Sequence, residues 1–270
     1  MMALAILAAL SIGTIVLVSP AKPDQHGAQV LRFTIHSAFV HQALPQVEVV
    51  PPATSGRGRP LLVFLHGRGA HGEDSNLSSE MFKALADQGR DAPDVVFPDG
   101  GDASYWHNRS SGQWASYVIK EVVPAAIARV QADPRRVAIG GLSMGGFGAL
   151  DIARLSPGRF CAVAADSAAL WFRGADAAPG AFDDAADFGG HDLIRFAGRT
   201  NPYGATPVWM DVGTDDPFRP TDTALARELR ADGARIQFNV WPGGHDGDYW
   251  RSHWQSYLGF YARHLHRCRS

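Results

Sequence analysis

The chain has 270 residues, 46% of them hydrophobic, and a formal charge of -2. That length and apolar content provide one sizeable core, in an α/β or all-β domain, more readily than two. Acidic and basic residues nearly balance and no long run of one sign occurs, so neither nucleic acid nor an anionic membrane surface is an expected partner. No repeat period and no low-complexity tract is visible beyond short Gly/Ala-rich loops.

Residues 1–18 (MMALAILAALSIGTIVLV) carry no charged side chain, and the polar stretch SPAKPDQHG follows. The run has the length of a secretory signal or a short membrane anchor, and Ser19-Pro20-Ala21 offers the small residues that a signal peptidase reads. The expectation is export (secreted, periplasmic or anchored), with cleavage after Ala21 and membrane contact only through this segment. Residues 1–22 are therefore set apart from a single folded domain over 23–270.

Within that domain, 29–39 and 47–50 read as an extended pair joined around Pro45, antiparallel to each other. The wholly apolar run 61–65 (LLVFL) and short, largely apolar runs at 94–97, 136–139, 161–165, 207–211 and 236–241 read as strands buried on both faces. Helical patterns lie between or after them at 79–88, 114–131, 144–155, 221–231 and 248–267. Strands alternating with helices predict βαβ units, a mostly parallel sheet of about eight strands and right-handed crossovers. One long segment, 167–206, rich in Gly, Ala and Asp, breaks the alternation. A connection of that length is expected to form a small lid.

The chain holds two cysteines, Cys161 and Cys268, too few for a disulfide framework. Cys161 reads as a buried thiol in an apolar run. The tail bearing His264, His266 and Cys268 reads as a frayed terminus and not as a metal cluster. A Cys161–Cys268 bridge is the less favoured arrangement.

In open α/β sheets the ligand crevice lies beyond the carboxyl ends of the strands, and four such ends carry chemistry here. The fifth strand runs into Gly141-Leu-Ser143-Met-Gly145, a G-x-S-x-G elbow followed at once by a helix. There the tight turn excludes a Cβ two residues to either side of a serine nucleophile. The last strand is followed by Pro242-Gly-Gly-His245-Asp246, which presents His245 as a general base. His253, inside the following helix, reads as a helix-face residue. The seventh strand leads into Gly213-Thr-Asp215-Asp216-Pro, where either aspartate could orient the histidine and the other would be a solvated turn residue. An oxyanion hole needs two backbone N–H groups. Met144 supplies one, and Arg68, in His66-Gly67-Arg68-Gly69 after the third strand, supplies the other through its main chain.

The segments LHGRG, PDGG (98–101), GLSMGGFGAL, GTDDPF and PGGHDGDYW, in this order, resemble the esterase D / feruloyl esterase / mycolyltransferase-like family of α/β-hydrolases. The resemblance runs from about residue 61 to 264. It implies the α/β-hydrolase fold, a triad of Ser143, Asp216 and His245, and oxyanion donors at Arg68 and Met144. It also implies hydrolysis of carboxylic esters or thioesters, or transfer of the acyl group to another hydroxyl. The elbow departs from the form with alanine after Ser-Met that marks mycolyltransferases, which counts against acyl transfer.

Trp106 after PDGG, Trp171 in the lid and Trp250 beyond His245 are candidate substrate-binding residues, alongside Tyr105 and Phe172. Ordinary packing is the alternative for each. No H-E-x-x-H, P-loop or dinucleotide fingerprint occurs, so no cofactor and no catalytic metal is expected. The expected partner is a small-molecule ester. Two other functions stay open at this level: an acyltransferase using the same triad, and a non-catalytic α/β-hydrolase-fold binding protein.

Overall fold

The computed structural model describes residues 22–52, 57–69 and 72–268. The expected export segment lies outside the described residues but for Lys22. Eight strands form one sheet: β1 (Gln29–His36), β2 (Ala43–Val50), β3 (Leu61–Leu65), β4 (Asp94–Pro98), β5 (Val137–Gly141), β6 (Val163–Asp166), β7 (Val208–Gly213) and β8 (Ile236–Trp241). Their order is β1-β2-β4-β3-β5-β6-β7-β8. β1 pairs antiparallel with β2, and β2 with β4; the remaining pairings are parallel. This is the α/β-hydrolase fold, an eight-stranded, mostly parallel sheet flanked by helices.

Every residue of β3 through β7 is buried, because helices cover both faces. The flanking helices are α1 (Ser79–Asp87), α2 (Trp114–Tyr117, a π turn Val118–Val122, then Val123–Val130), α3 (Met144–Leu155), α4 (Ala185–Gly190), α5 (Leu193–Ala197), α6 (Arg219–Ala231) and α7 (Gly247–Arg267). Strand β3 shows how alternation divides the core. Leu62 and Phe64 face the layer built by α1 and α7, while Leu61, Val63 and Leu65 face the one built by α2, α3 and α6. Burying each such side chain contributes about 1.5–3 kcal/mol.

Pro45 does not make the first turn. It sits inside β2, opposite Thr34, and the turn lies at 37–42, where Ser37 Oγ accepts from the backbone N–H groups of Phe39 and Val40. The hydroxyl supplies the local partner that a turn needs. In α2 the π turn stands immediately before Pro124. The proline ring cannot donate to the carbonyl of Lys120, and the helix widens there.

The cysteine reading is also corrected. Cys161 and Cys268 are joined, with Cα atoms 5.7 Å apart. Helix α7 is not frayed: it continues to Arg267 and carries Cys268 across the sheet to the start of β6. The sequence separation of 107 conceals a contact that only the packing of α7 creates.

The 167–206 segment forms a 3-10 turn (Gly174–Asp176) and the two short helices α4 and α5. A small hairpin (Asn108–Arg109 with Gly112–Gln113) leans against it. Arg109 donates to both the Asp183 carboxylate, at 2.7 and 3.0 Å, and the carbonyls of Gly180 and Ala181. The lid is therefore strapped to the body by charge-assisted bonds.

Candidate active site

The strand-to-helix turn after β5 fixes Ser143. Its φ is 53° and its ψ -116°, a conformation that costs a non-glycine residue on the order of 1–3 kcal/mol. The flanking glycines make it possible. A Cβ on Gly141 would lie 2.5 Å from Leu65 O, and one on Gly145 2.0 Å from the same atom. The turn is pinned by Ser143 N–H donating to Asp166 O at 3.0 Å, with Ser143 O accepting from Ala169 N and Phe147 N. Backbone strain at Ser143 is thus held by β6 and α3 together, and Oγ projects from the sheet's carboxyl edge.

His245 meets it from the loop after β8. His245 Nε2 stands 2.8 Å from Ser143 Oγ, and Nδ1 stands 2.9 Å from Asp216 Oδ2. The next residue, Asp246, caps α7 by accepting from Asp248 N and Tyr249 N, so the histidine is fixed at the entrance of a long helix. Its ring is wedged edge-on between Phe218 and Trp250, both 5.0 Å away by centroid.

Asp216 is buried, whereas its neighbour Asp215 is exposed. Burial alone would raise the Asp216 carboxyl, but hydrogen bonds from His245 and from Phe218 N–H outweigh it and hold the group below the ordinary aspartate value. It is ionised at neutral pH. Asp215 acts through its main chain: its N–H donates to Gly243 O at 2.9 Å, beside Thr214 N–H donating to Trp241 O. These two bonds stitch the aspartate loop to the histidine loop.

The loop after β3 lies against the elbow, for a Cβ on Gly67 would come 3.5 Å from Ser143 Cβ and 2.8 Å from Leu142 Cδ1. Arg68 follows directly; it is exposed, and its guanidinium donates to Pro179 O in the lid. Met144 opens α3, so its N–H belongs to the first turn, where intrahelical acceptors are lacking and the dipole favours negative charge. His66 has a different task. Its ring is buried, with Nε2 accepting from Gly100 N–H at 2.9 Å, which ties the β3 loop to the β4 loop.

The three tryptophans part company. Trp106 is fully buried, with Nε1 donating to His66 O and its ring pressed against Gly100 and Gly148. It supports the loops from beneath and does not line a crevice, a correction to its reading as a substrate contact. A Cβ on Gly148 would stand 2.4 Å from Trp106 Cβ, so only glycine fits there. Trp171 and Trp250 are half-buried and connect to the histidine: Trp250 directly, Trp171 through Phe218 at 5.6 Å. Phe218 was not singled out in the sequence. Its one signal is position, two residues after Asp216 and at the start of α6.

Serine, imidazole and carboxylate in this chain can pass a proton from Oγ to Nε2 while Asp216 stabilises the charged ring. The family described as "Putative esterase" matches residues 42–260. Esterase Rv1288 of Mycobacterium tuberculosis (strain ATCC 25618 / H37Rv) is 34% identical over 134 residues, which make up 46% of this chain and 29% of that protein. The chain thus spans under a third of that relative's length. Among solved structures, a ferulic acid esterase superposes with a TM-score of 0.73 at 21% identity, covering 88% of this chain and 99% of that one. An S-formylglutathione hydrolase from Agrobacterium tumefaciens does so with 0.75 at 20% identity, covering 91% and 98%. The chain belongs to this esterase family of serine hydrolases with the α/β-hydrolase fold.

Proposed function

We propose that the protein is a serine ester hydrolase acting on carboxylic esters or thioesters, and the observation that carries this is the unbroken Ser143–His245–Asp216 relay at 2.8 and 2.9 Å. Ser143 Oγ attacks the ester carbonyl carbon as His245 Nε2 takes its proton. The carbonyl oxygen becomes an oxyanion held by the main-chain N–H groups of Arg68 and Met144. The imidazolium then protonates the departing alcohol or thiol, leaving an acyl group on Ser143. Water, deprotonated by His245, attacks that acyl carbon and restores the serine. Trp171 and Trp250, beside the relay, give the crevice apolar walls suited to an acyl or aryl group.

The decisive experiment is labelling with a fluorophosphonate probe, wild type beside Ser143→Ala, followed by a panel of p-nitrophenyl esters, methyl ferulate and a thioester. The wild type is expected to label and to hydrolyse at least one class, and Ser143→Ala to do neither. Labelling that survives in Ser143→Ala would refute the assignment.

Export is part of the same proposal. It is supported by the uncharged N-terminal run and by the Cys161–Cys268 bridge, which persists in oxidising compartments. N-terminal sequencing of the exported protein should begin near Lys22.

A further inference from the structure

Two imidazoles and a carboxylate meet where the lid folds onto α3, outside the Ser143–His245–Asp216 relay. His107 Nε2 lies 3.1 Å from Asp187 Oδ2, and His191 Nε2 lies 3.6 Å from Asp187 Oδ1. The two imidazole centroids are 4.4 Å apart. The three ligating atoms all lie within 4.8 Å of one another. His107 is fully buried, and its Nδ1 has no hydrogen-bond partner among the described residues.

Charge is unevenly met around this cluster. Asp151 is paired with Arg154 and Asp183 with Arg109. Among the described residues Asp187 has only the two imidazoles as cationic partners, so the cluster carries one uncompensated negative charge when both rings are neutral. A tetrahedral cation bound at about 2.0–2.2 Å places neighbouring ligand atoms roughly 3.3–3.6 Å apart. Each imidazole Nε2 stands about this far from one oxygen of the Asp187 carboxylate, His107 at 3.1 Å from Oδ2 and His191 at 3.6 Å from Oδ1. One atom from each of the three residues falls within 4.8 Å of the others, close enough for small side-chain shifts to close the set around an ion. The outer contact is equally suited: His191 Nδ1 lies 2.7 Å from Asp151 Oδ2. That bond places the ring proton on Nδ1 and leaves the Nε2 lone pair facing Asp187, as carboxylate-oriented metal-ligating histidines do.

We propose that His107, Asp187 and His191 form a binding site for a zinc-class divalent cation, one that clamps the lid to the body of the domain. His107 comes from the segment after β4, whereas Asp187 lies on α4 and His191 directly follows it. A bound ion would therefore cross-link lid and body, with Asp151 of α3 supporting it from outside. The site makes no contact with the ester-cleaving relay and does not depend on its assignment.

The test uses tag-free, full-length folded protein, dialysed against a chelator and then titrated with Zn²⁺ or Co²⁺. The site predicts one equivalent of zinc per chain by elemental analysis, visible d–d absorption with Co²⁺, and a Tm that rises by several degrees when Zn²⁺ is in large excess over its Kd. Because His107 is fully buried, where a substitution threatens folding, His191→Gln and Asp187→Asn are the diagnostic pair. Both should melt cooperatively and lose the zinc-dependent rise. Uptake below a tenth of an equivalent would overturn the site. So would an equal zinc effect in both variants, which would place binding elsewhere, for example at His264 and His266. A Tm indifferent to zinc but rising as pH falls from about 7 to 5 would assign the cluster to a proton instead.

Discussion

His245 Nδ1 lies 2.9 Å from Asp216 Oδ2, while Asp215, one residue earlier, turns its side chain to solvent and bonds the histidine loop only through its N–H. Adjacent, identical side chains thus have opposite environments. Asp216→Asn should lower kcat against a p-nitrophenyl ester by about 10⁴-fold, the scale of a triad Asp→Asn change in a serine protease. Asp215→Asn keeps the backbone bond and should stay within a few-fold of wild type. Steady-state kinetics of both variants decide it, and the reverse ranking would move the carboxylate role to Asp215.

The elbow makes a steric prediction. Gly145→Ala puts a methyl group 2.0 Å from Leu65 O, a backbone atom that cannot swing aside. The variant should be largely insoluble or, if recovered, lack fluorophosphonate labelling. Gly189→Ala in α4 meets nothing within 4 Å and should fold and label like wild type. Soluble yield and labelling, measured side by side, check the contrast.

The Cys161–Cys268 bridge closes a loop with a sequence separation of 107. Removing a crosslink of that span costs about 2–5 kcal/mol. Cys161→Ser/Cys268→Ser, or reduction of the wild type, should lower the Tm by several degrees. Because α7 packs over the sheet independently of the bridge, ester hydrolysis at 25 °C should survive. Thermal melts with and without reductant provide the measurement.

Glu48 gives a pH prediction. Its side chain is fully buried in β2, and neither carboxylate oxygen has a hydrogen-bond partner among the described residues. Arg129 Nε stands 4.0 Å away. Burial, reinforced by the nearby Asp94 charge and only partly offset by Arg129, pushes the carboxyl from its usual 4.5 to about 8. The folded state therefore holds this proton where the unfolded chain has released it. The stabilisation is fully present below pH 4.5 and is lost as pH rises through about 8, with a limiting slope of about 1.4 kcal/mol per pH unit. Glu48→Gln should accordingly gain stability over wild type as pH rises from 5 to 9, read from denaturant midpoints at each pH. A constant difference would remove the ionisation account.

Much of this protein could be read from its sequence because the informative residues act locally. Five-residue apolar runs such as LLVFL predict strands covered on both faces, and those of β3–β7 are buried throughout. Ser143 between Gly141 and Gly145, and Gly-Gly-His245 after the last strand, mark chemistry within a few residues of their own backbone. Boundaries were less legible wherever a side chain or a ring changed the local hydrogen bonding, as with Ser37 at the first turn and Pro124 in α2.

The tertiary structure decided what depends on residues far apart in the chain. It brings Cys268 to Cys161, buries Trp106 beneath the loops instead of exposing it to the crevice, and gives Asp216 a partner that Asp215 lacks. It also gathers His107 with Asp187 and His191. None of that cluster was singled out in the sequence, although Asp187 and His191 stand only four residues apart. The physical reason is the same in each case. Periodicity and turn chemistry are written in neighbouring residues, but burial, charge pairing and ligand geometry arise only when separate elements pack against one another.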